Sequence, residues 1–122
     1  MKPLKVLVID DEQVICDACR LVLSERDHTV NHCITGQEGL KALEEDAYDL
    51  VLLDMKLPDI DGTDILAFVR EKSLTARVIV MTGYSTLANA LEAMKLGATD
   101  YLSKPFSEDE LLATIDQAFA DS

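Results

Sequence analysis

A chain of 122 residues has room for one domain, so residues 1–122 are expected to form a single unit that buries roughly two-thirds of its unfolded surface. The formal charge of −12 and pI near 4.3 exclude a nucleic-acid or anionic-membrane surface, which would need clustered Lys and Arg, and suit a cation or a basic partner. Met1-Lys2-Pro3-Leu4-Lys5 leads into a short apolar run that ends at Asp10-Asp11, too short for a signal-peptide core or a membrane span, so a soluble cytoplasmic protein is expected.

Apolar runs alternate with stretches of helical period, the pattern of successive βα units with helices on both faces of a parallel sheet. The first strand is predicted over Leu4 to Ile9 and its helix over Gln13 to Arg26, with Ile15, Cys19, Val22 and Leu23 inward. His28 to Cys33 alternates in polarity, as an edge strand does. Thr35-Gly36-Gln37-Glu38 then reads as a capping box opening a helix that presents Leu40, Leu43 and Ala47 on one face. Asp49 to Leu53 is apolar without interruption and belongs in the sheet interior. Leu57-Pro58-Asp59-Ile60-Asp61-Gly62 is a turn, followed by a helix carrying Ile65, Phe68 and Val69 inward. Arg77 to Met81 is a second interior strand, broken by Gly83. Ser85 or Thr86 caps a helix whose core face is Leu87, Leu91 and Met94 and whose end is marked by Gly97. A short strand over Thr99 to Leu102 and a helix capped by Ser107 with Glu110, burying Leu111, Leu112, Ile115 and Phe119, complete five units.

The three cysteines, an odd number without secretory context, read as reduced thiols. Cys16-x-x-Cys19 with His28 and His32 imitates a zinc pattern. The gap is shorter than in a finger, however, and both cysteines fall in a helix-period run, which favours packing: Cys19 inside, Cys16 nearer the boundary.

The chemistry lies at the strand ends. Four apolar runs terminate in Asp10-Asp11, Asp54, Thr82 and Lys104, and in an open parallel sheet such ends share one crevice. Asp10 or Asp11 alone would most simply cap the first helix, and Thr82-Gly83 alone would be a turn. Together, Asp10, Asp11 and Asp54 repel one another unless a cation neutralises them, and an all-oxygen set suits Mg²⁺. Lys104 can neutralise a phosphoryl oxygen or hold Asp54 when no phosphate is there, with Pro105 fixing its stem; Thr82 offers a hydroxyl. These groups describe phosphoryl transfer to a carboxylate, with Asp54, at the end of the central run, as nucleophile. No Ser-His-Asp arrangement, Walker loop or GxGxxG is present, and both His residues lie away from this pocket.

Val8-Ile9-Asp10-Asp11-Glu12, Leu53-Asp54-Met55-Lys56-Leu57-Pro58-Asp59-Ile60-Asp61-Gly62, Val80-Met81-Thr82-Gly83-Tyr84 and Asp100-Tyr101-Leu102-Ser103-Lys104-Pro105-Phe106 occur in this order. With these motifs the chain resembles, over essentially its full length, the receiver domain of bacterial two-component response regulators. The resemblance implies a flavodoxin-like (βα)5 doubly wound sheet of order 2-1-3-4-5. It further implies that Asp54 takes a phosphoryl group from a sensor histidine kinase. Asp11, Asp54 and the Lys56 carbonyl would bind Mg²⁺ directly, with Asp10 acting largely through water. Thr82 and Lys104 would contact the phosphoryl group, the Lys104-Pro105 bond would be cis, and Tyr101 would be the aromatic switch that repacks the face of the fourth helix, fifth strand and fifth helix. That face would meet an output domain or downstream protein, and in such proteins it can also form a homodimer. Lys56 and Tyr84 match positions that tune phosphoryl lifetime. The stretch from Thr82 to Phe106 resembles receivers attached to activators of alternative-sigma-factor transcription.

The expected protein is thus a phosphorylation-controlled module, able to phosphorylate itself from small donors and to lose the group again, rather than a turnover enzyme. The alternative is an Mg²⁺-dependent phosphatase with an aspartyl nucleophile of the haloacid-dehalogenase class, against which stands Lys56, where that chemistry usually wants an acid. A flavin domain of the same topology is disfavoured because the acidic ends would repel a flavin phosphate.

Overall fold

Unbroken apolar strands can be buried only if both sheet faces are covered, and that requirement organises the molecule. The computed structural model describes residues 2–83 and 87–121, without the Leu87 side chain. Its elements are β1 (Lys5–Ile9), α1 (Gln13–Ser24), β2 (Thr29–Cys33), α2 (Gly36–Glu45), β3 (Leu50–Asp54), α3 (Gly62–Glu71), β4 (Arg77–Thr82), α4 (Leu87–Lys95), β5 (Asp100–Ser103) and α5 (Glu108–Ala118). The strands form one parallel sheet in the order β2-β1-β3-β4-β5, the predicted flavodoxin-like topology, with β2 at an edge and β3 buried at all five positions.

Alternate strand residues feed two cores. On one face Val6, Val8, Leu50, Leu52, Ile79 and Met81 pack with Cys16, Cys19 and Leu23 of α1 and Leu111 and Ile115 of α5. On the other, Leu7, Ile9, Val51, Leu53 and Val80 meet Leu43 of α2, Ile65, Leu66 and Val69 of α3 and Ala93 of α4. Register then decides where the chemistry goes. Ile9 pairs with Leu53, Asp54 with Met81 and Thr82 with Ser103, so Asp10, Asp54, Thr82 and Lys104 emerge at one level of one sheet edge. The direction of the chain reverses across the sheet between β1 and β3, where such folds open a crevice.

Three packing expectations are corrected. Leu91 and Met94 are not core residues: they are 52% and 43% exposed, and α4 buries Ala93 instead, with Ala98 beyond its end. The helix carries two apolar stripes, and the small one allows the closer approach to the sheet. The apolar period of α4 is therefore not all spent on the core. Cys16 is fully buried rather than at the boundary, its thiol donating to the Asp10 carbonyl at 3.4 Å beneath the β1–α1 turn. Ala47 lies past the end of α2 and is exposed; Tyr48 is buried in its stead, with its hydroxyl accepting from the Asn31 amide at 2.9 Å. On α3, Ile65 and Val69 are buried and Phe68 packs partly buried against the same core, as expected, with Leu66 fully buried beside them.

The helix starts follow the expected capping pattern in part. Ser107 and Glu110 form the full capping box of α5. At α2, Thr35 accepts from the Glu38 amide at 3.2 Å, but the Glu38 carboxylate accepts from the Thr35 hydroxyl at 2.9 Å, so the box is half made. The predicted caps Ser85 and Thr86, and Tyr84, lie outside the described residues. All three thiols are free and buried, and burial pushes Cys16 up to about 11 and Cys19 to about 12, as inert packing groups.

Candidate functional site

The β1–α1 turn sets the first acids. Asp10 is fully buried, its amide donates to the Cys33 carbonyl at 3.1 Å, and its Oδ1 accepts from the Glu12 amide at 2.9 Å, which fixes the turn into α1. Asp54 ends β3, 6% exposed, with Oδ1 accepting from the Lys56 amide at 3.0 Å. Lys104 follows β5, its amide bound to the Thr82 carbonyl at 2.9 Å, and the Lys104-Pro105 bond is cis as expected.

The Lys104 ammonium enters the acids from above, 2.6 Å from Asp10 Oδ2, 3.0 Å from Glu12 Oε1 and 3.4 Å from Asp54 Oδ2. Asp54 is thus the most distant of its three partners, and Glu12, which received no role from the sequence, is the second. Asp10 Oδ2 has this ion-pair contact but no aligned hydrogen-bond donor. One carboxylate oxygen from each of Asp10, Asp11, Glu12 and Asp54 lies within 4.8 Å of the others. Asp11 and Glu12 are exposed, while Asp10 and Asp54 are buried, so the cluster has a dry floor and an open mouth. Asp11, Asp54, Lys56, Thr82 and Lys104 border one cavity of about 440 Å³. Tyr101 is not in it. It borders a neighbouring cavity of about 370 Å³, beside α4, that shares Thr82 and Lys56.

Electrostatics follow burial. Desolvation pushes the Asp54 carboxyl up to about 6; the Lys56 amide and Lys104 pull it down, while Asp10 adds to the rise. Asp54 is therefore largely ionised at neutral pH, though at a cost. Burial works against the charge on Lys104, but its close contacts with the Asp10 and Glu12 carboxylates prevail and hold it above the ordinary lysine value.

The residues fit a hard divalent cation. All donors are oxygens, two of the carboxylates are dry, and one buried oxygen lacks an aligned donor. Opposite ligands of an octahedral Mg²⁺ lie about 4 Å apart, so oxygens within 4.8 Å need only a small inward movement or an intervening water.

A family profile for the response regulator receiver domain matches residues 6–116. The chain belongs to this family. The receiver is 43% identical over 110 residues to the transcriptional regulatory protein KdpE of Mycobacterium tuberculosis, covering 90% of this chain and 48% of that protein. It is 38% identical over 112 residues to the regulatory protein DltR of Streptococcus agalactiae, covering 92% and 50%. The receiver thus spans about half the length of these curated relatives. A response regulator of Burkholderia pseudomallei, solved with a phosphorylated aspartic acid, a calcium ion and citrate, superposes with a TM-score of 0.83 at 29% identity, over 96% of this chain and 69% of that one.

Sequence reasoning missed two contributors. Glu12 stands inside the first motif and could have been suspected from its charge. Asp59 lies outside the cavity, and its carboxylate accepts from the Gly36 and Gln37 amides at 2.8 and 2.9 Å, a tertiary contact that leaves no trace in local pattern.

Proposed function

We propose that this receiver takes a phosphoryl group onto Asp54 from the phosphohistidine of a sensor histidine kinase and reports it to an output partner. The observation that carries this reading is the convergence of an ionised, buried Asp54 with Lys104, Asp11 and Glu12 on one cavity, with the buried Asp10 carboxylate in the same cluster. An Asp54 oxygen attacks phosphorus, the bond from phosphorus to the imidazole nitrogen breaks, and that nitrogen keeps the electron pair. Lys104 neutralises charge on the transferring oxygens and Thr82 donates its hydroxyl to one of them. Asp11, Asp54 and the Lys56 carbonyl would hold Mg²⁺, with Asp10 reached through water, and when bound the ion supplies charge neutralisation between carboxylates and phosphoryl oxygens.

The readout runs through Thr82, which borders both cavities. Movement of Thr82 toward the phosphoryl group frees space into which the half-buried Tyr101 ring turns, and the face of α4, β5 and α5 repacks as a two-state shift. Exposed Leu91 and Met94 support this face as the contact for an output domain, a downstream protein or a second copy. Residues 1–122 act as one module that does not turn over substrate. Among the described residues no helix is long and apolar enough to cross a membrane. Transfer from a sensor kinase would take place in the cytoplasm, and a formal charge of −12 disfavours direct contact with nucleic acid.

Incubation with acetyl phosphate and Mg²⁺ is expected to give one hydroxylamine-sensitive phosphoryl adduct by mass spectrometry, lost when a chelator removes the metal. Sustained phosphate release from a simple phosphomonoester, without an accumulating adduct, would instead establish the phosphatase alternative. NMR resonances around Tyr101 should shift on phosphorylation; if they stay put, the switch is wrong although the chemistry stands.

A further inference from the structure

The acids of the site are carried on strand ends, but the carbonyl of residue 56 is carried on a loop, and something must hold that loop. Locally it is closed by the Lys56 amide on Asp54, an antiparallel bridge between Lys56 and Asp61, and the Gly62 amide on the Met55 carbonyl at 3.1 Å. The far side of the loop is anchored elsewhere. Asp59 spans 23 and 22 residues of sequence to accept from Gly36 and Gln37, the first two amides of α2, while Thr35 supplies Glu38 and the Thr35 carbonyl accepts from Gly39. Ile60 packs where the contact is open only because residue 36 is glycine: a Cβ there would lie 2.2 Å from Ile60 Cγ1 and 2.6 Å from Cδ1. The β3–α3 loop is thereby docked on the start of α2 by two hydrogen bonds and a tight apolar contact.

We propose that Asp59 is a positioning residue for the cation site: by clamping the β3–α3 loop to the N-terminus of α2 it holds the Lys56 carbonyl at the height of Asp11 and Asp54. The proposal rests on the Mg²⁺ reading above. An ordinary helix cap would have the same hydrogen bonds, so the two must be separated by what each predicts for metal affinity. Outer positioning groups of metal sites commonly contribute about tenfold or more in affinity when removed.

Mg²⁺ titration of the whole chain, followed by ¹H–¹⁵N NMR shifts, separates them when wild type is compared with Asp59→Ala, Asp59→Asn and Thr35→Ala. Thr35→Ala removes a hydrogen bond from the same helix terminus without touching the loop. Asp59→Ala is expected to weaken Mg²⁺ binding about tenfold, Asp59→Asn, which keeps one acceptor oxygen, less, and Thr35→Ala less than about twofold despite a lowered melting temperature. Phosphorylation from acetyl phosphate should show the same split, with a higher Mg²⁺ requirement for Asp59→Ala but a near-normal rate at saturating metal. If Asp59→Ala binds Mg²⁺ as wild type does, or Thr35→Ala weakens binding equally, Asp59 is only a cap. Should Asp59→Ala fail to fold, Asp59→Asn decides by the same criterion. Absence of Mg²⁺ binding by wild type would be a different failure, that of the metal reading itself.

Discussion

Lys104→Ala is expected to destabilise the metal-free protein by about 3 kcal/mol at neutral pH, because it strands the buried Asp10 carboxylate by removing its ion-pair partner. Asp10 is fully buried and its Oδ2 meets the ammonium at 2.6 Å; the lysine side chain is only 12% exposed, so solvent screens the contact little. The Lys104 value is raised on folding, so its contribution is full below the unfolded value near 10.5 and is lost only as pH climbs through the higher folded value. Alkaline titration should therefore weaken wild type more than the variant. Mg²⁺ supplies positive charge to the same acids, so the deficit should shrink when the ion is added. Urea unfolding with and without Mg²⁺ reads both effects, and equal stability of the two proteins without metal would contradict the arrangement.

Asp54→Asn should do the opposite. Folding raises the Asp54 carboxyl from 3.8 to about 6, so keeping it charged costs the folded state. That cost is absent below the unfolded value, grows as pH rises through about 6, and is full above it. The variant, which has no charge to bury, is expected to be more stable than metal-free wild type by about 2 kcal/mol at pH 7, with the gap closing as pH falls toward 4. Melting curves across this range check it. An advantage for Asp54→Asn that grew on acidification would have the wrong sign and would refute the burial argument. Because Lys104 touches both acids, the two substitutions should not be additive.

Both predictions concern residues that sequence alone had placed together, and the reason is physical. Interior parallel strands bury both faces, so β1, β3 and β4 read as unbroken apolar runs, and the first polar residue after each is forced to the same edge by register. What escaped depended on distance in three dimensions rather than on period. Helix α4 carries two apolar stripes, and periodicity cannot tell that Ala93 faces the sheet while Leu91 and Met94 face solvent. Tyr48 supplants Ala47 because α2 ends at Glu45 and the chain has already turned toward β3. Glu12 pairs with Lys104 across 92 residues and Asp59 reaches α2 across more than twenty. The four strand ends are legible because the sheet dictates them; their auxiliary partners are set by loops, whose geometry the local pattern does not encode.

Every role proposed for the site depends on Asp54 being the phosphoacceptor. Peptide mapping of the adduct formed from acetyl phosphate and Mg²⁺, for wild type beside Asp54→Asn, tests it most directly. The peptide containing Asp54 is expected to carry the phosphoryl group in wild type, with none anywhere in the variant. An Asp54→Asn protein labelled as fully as wild type, or a wild-type label on Asp10, Asp11 or Glu12, would contradict it.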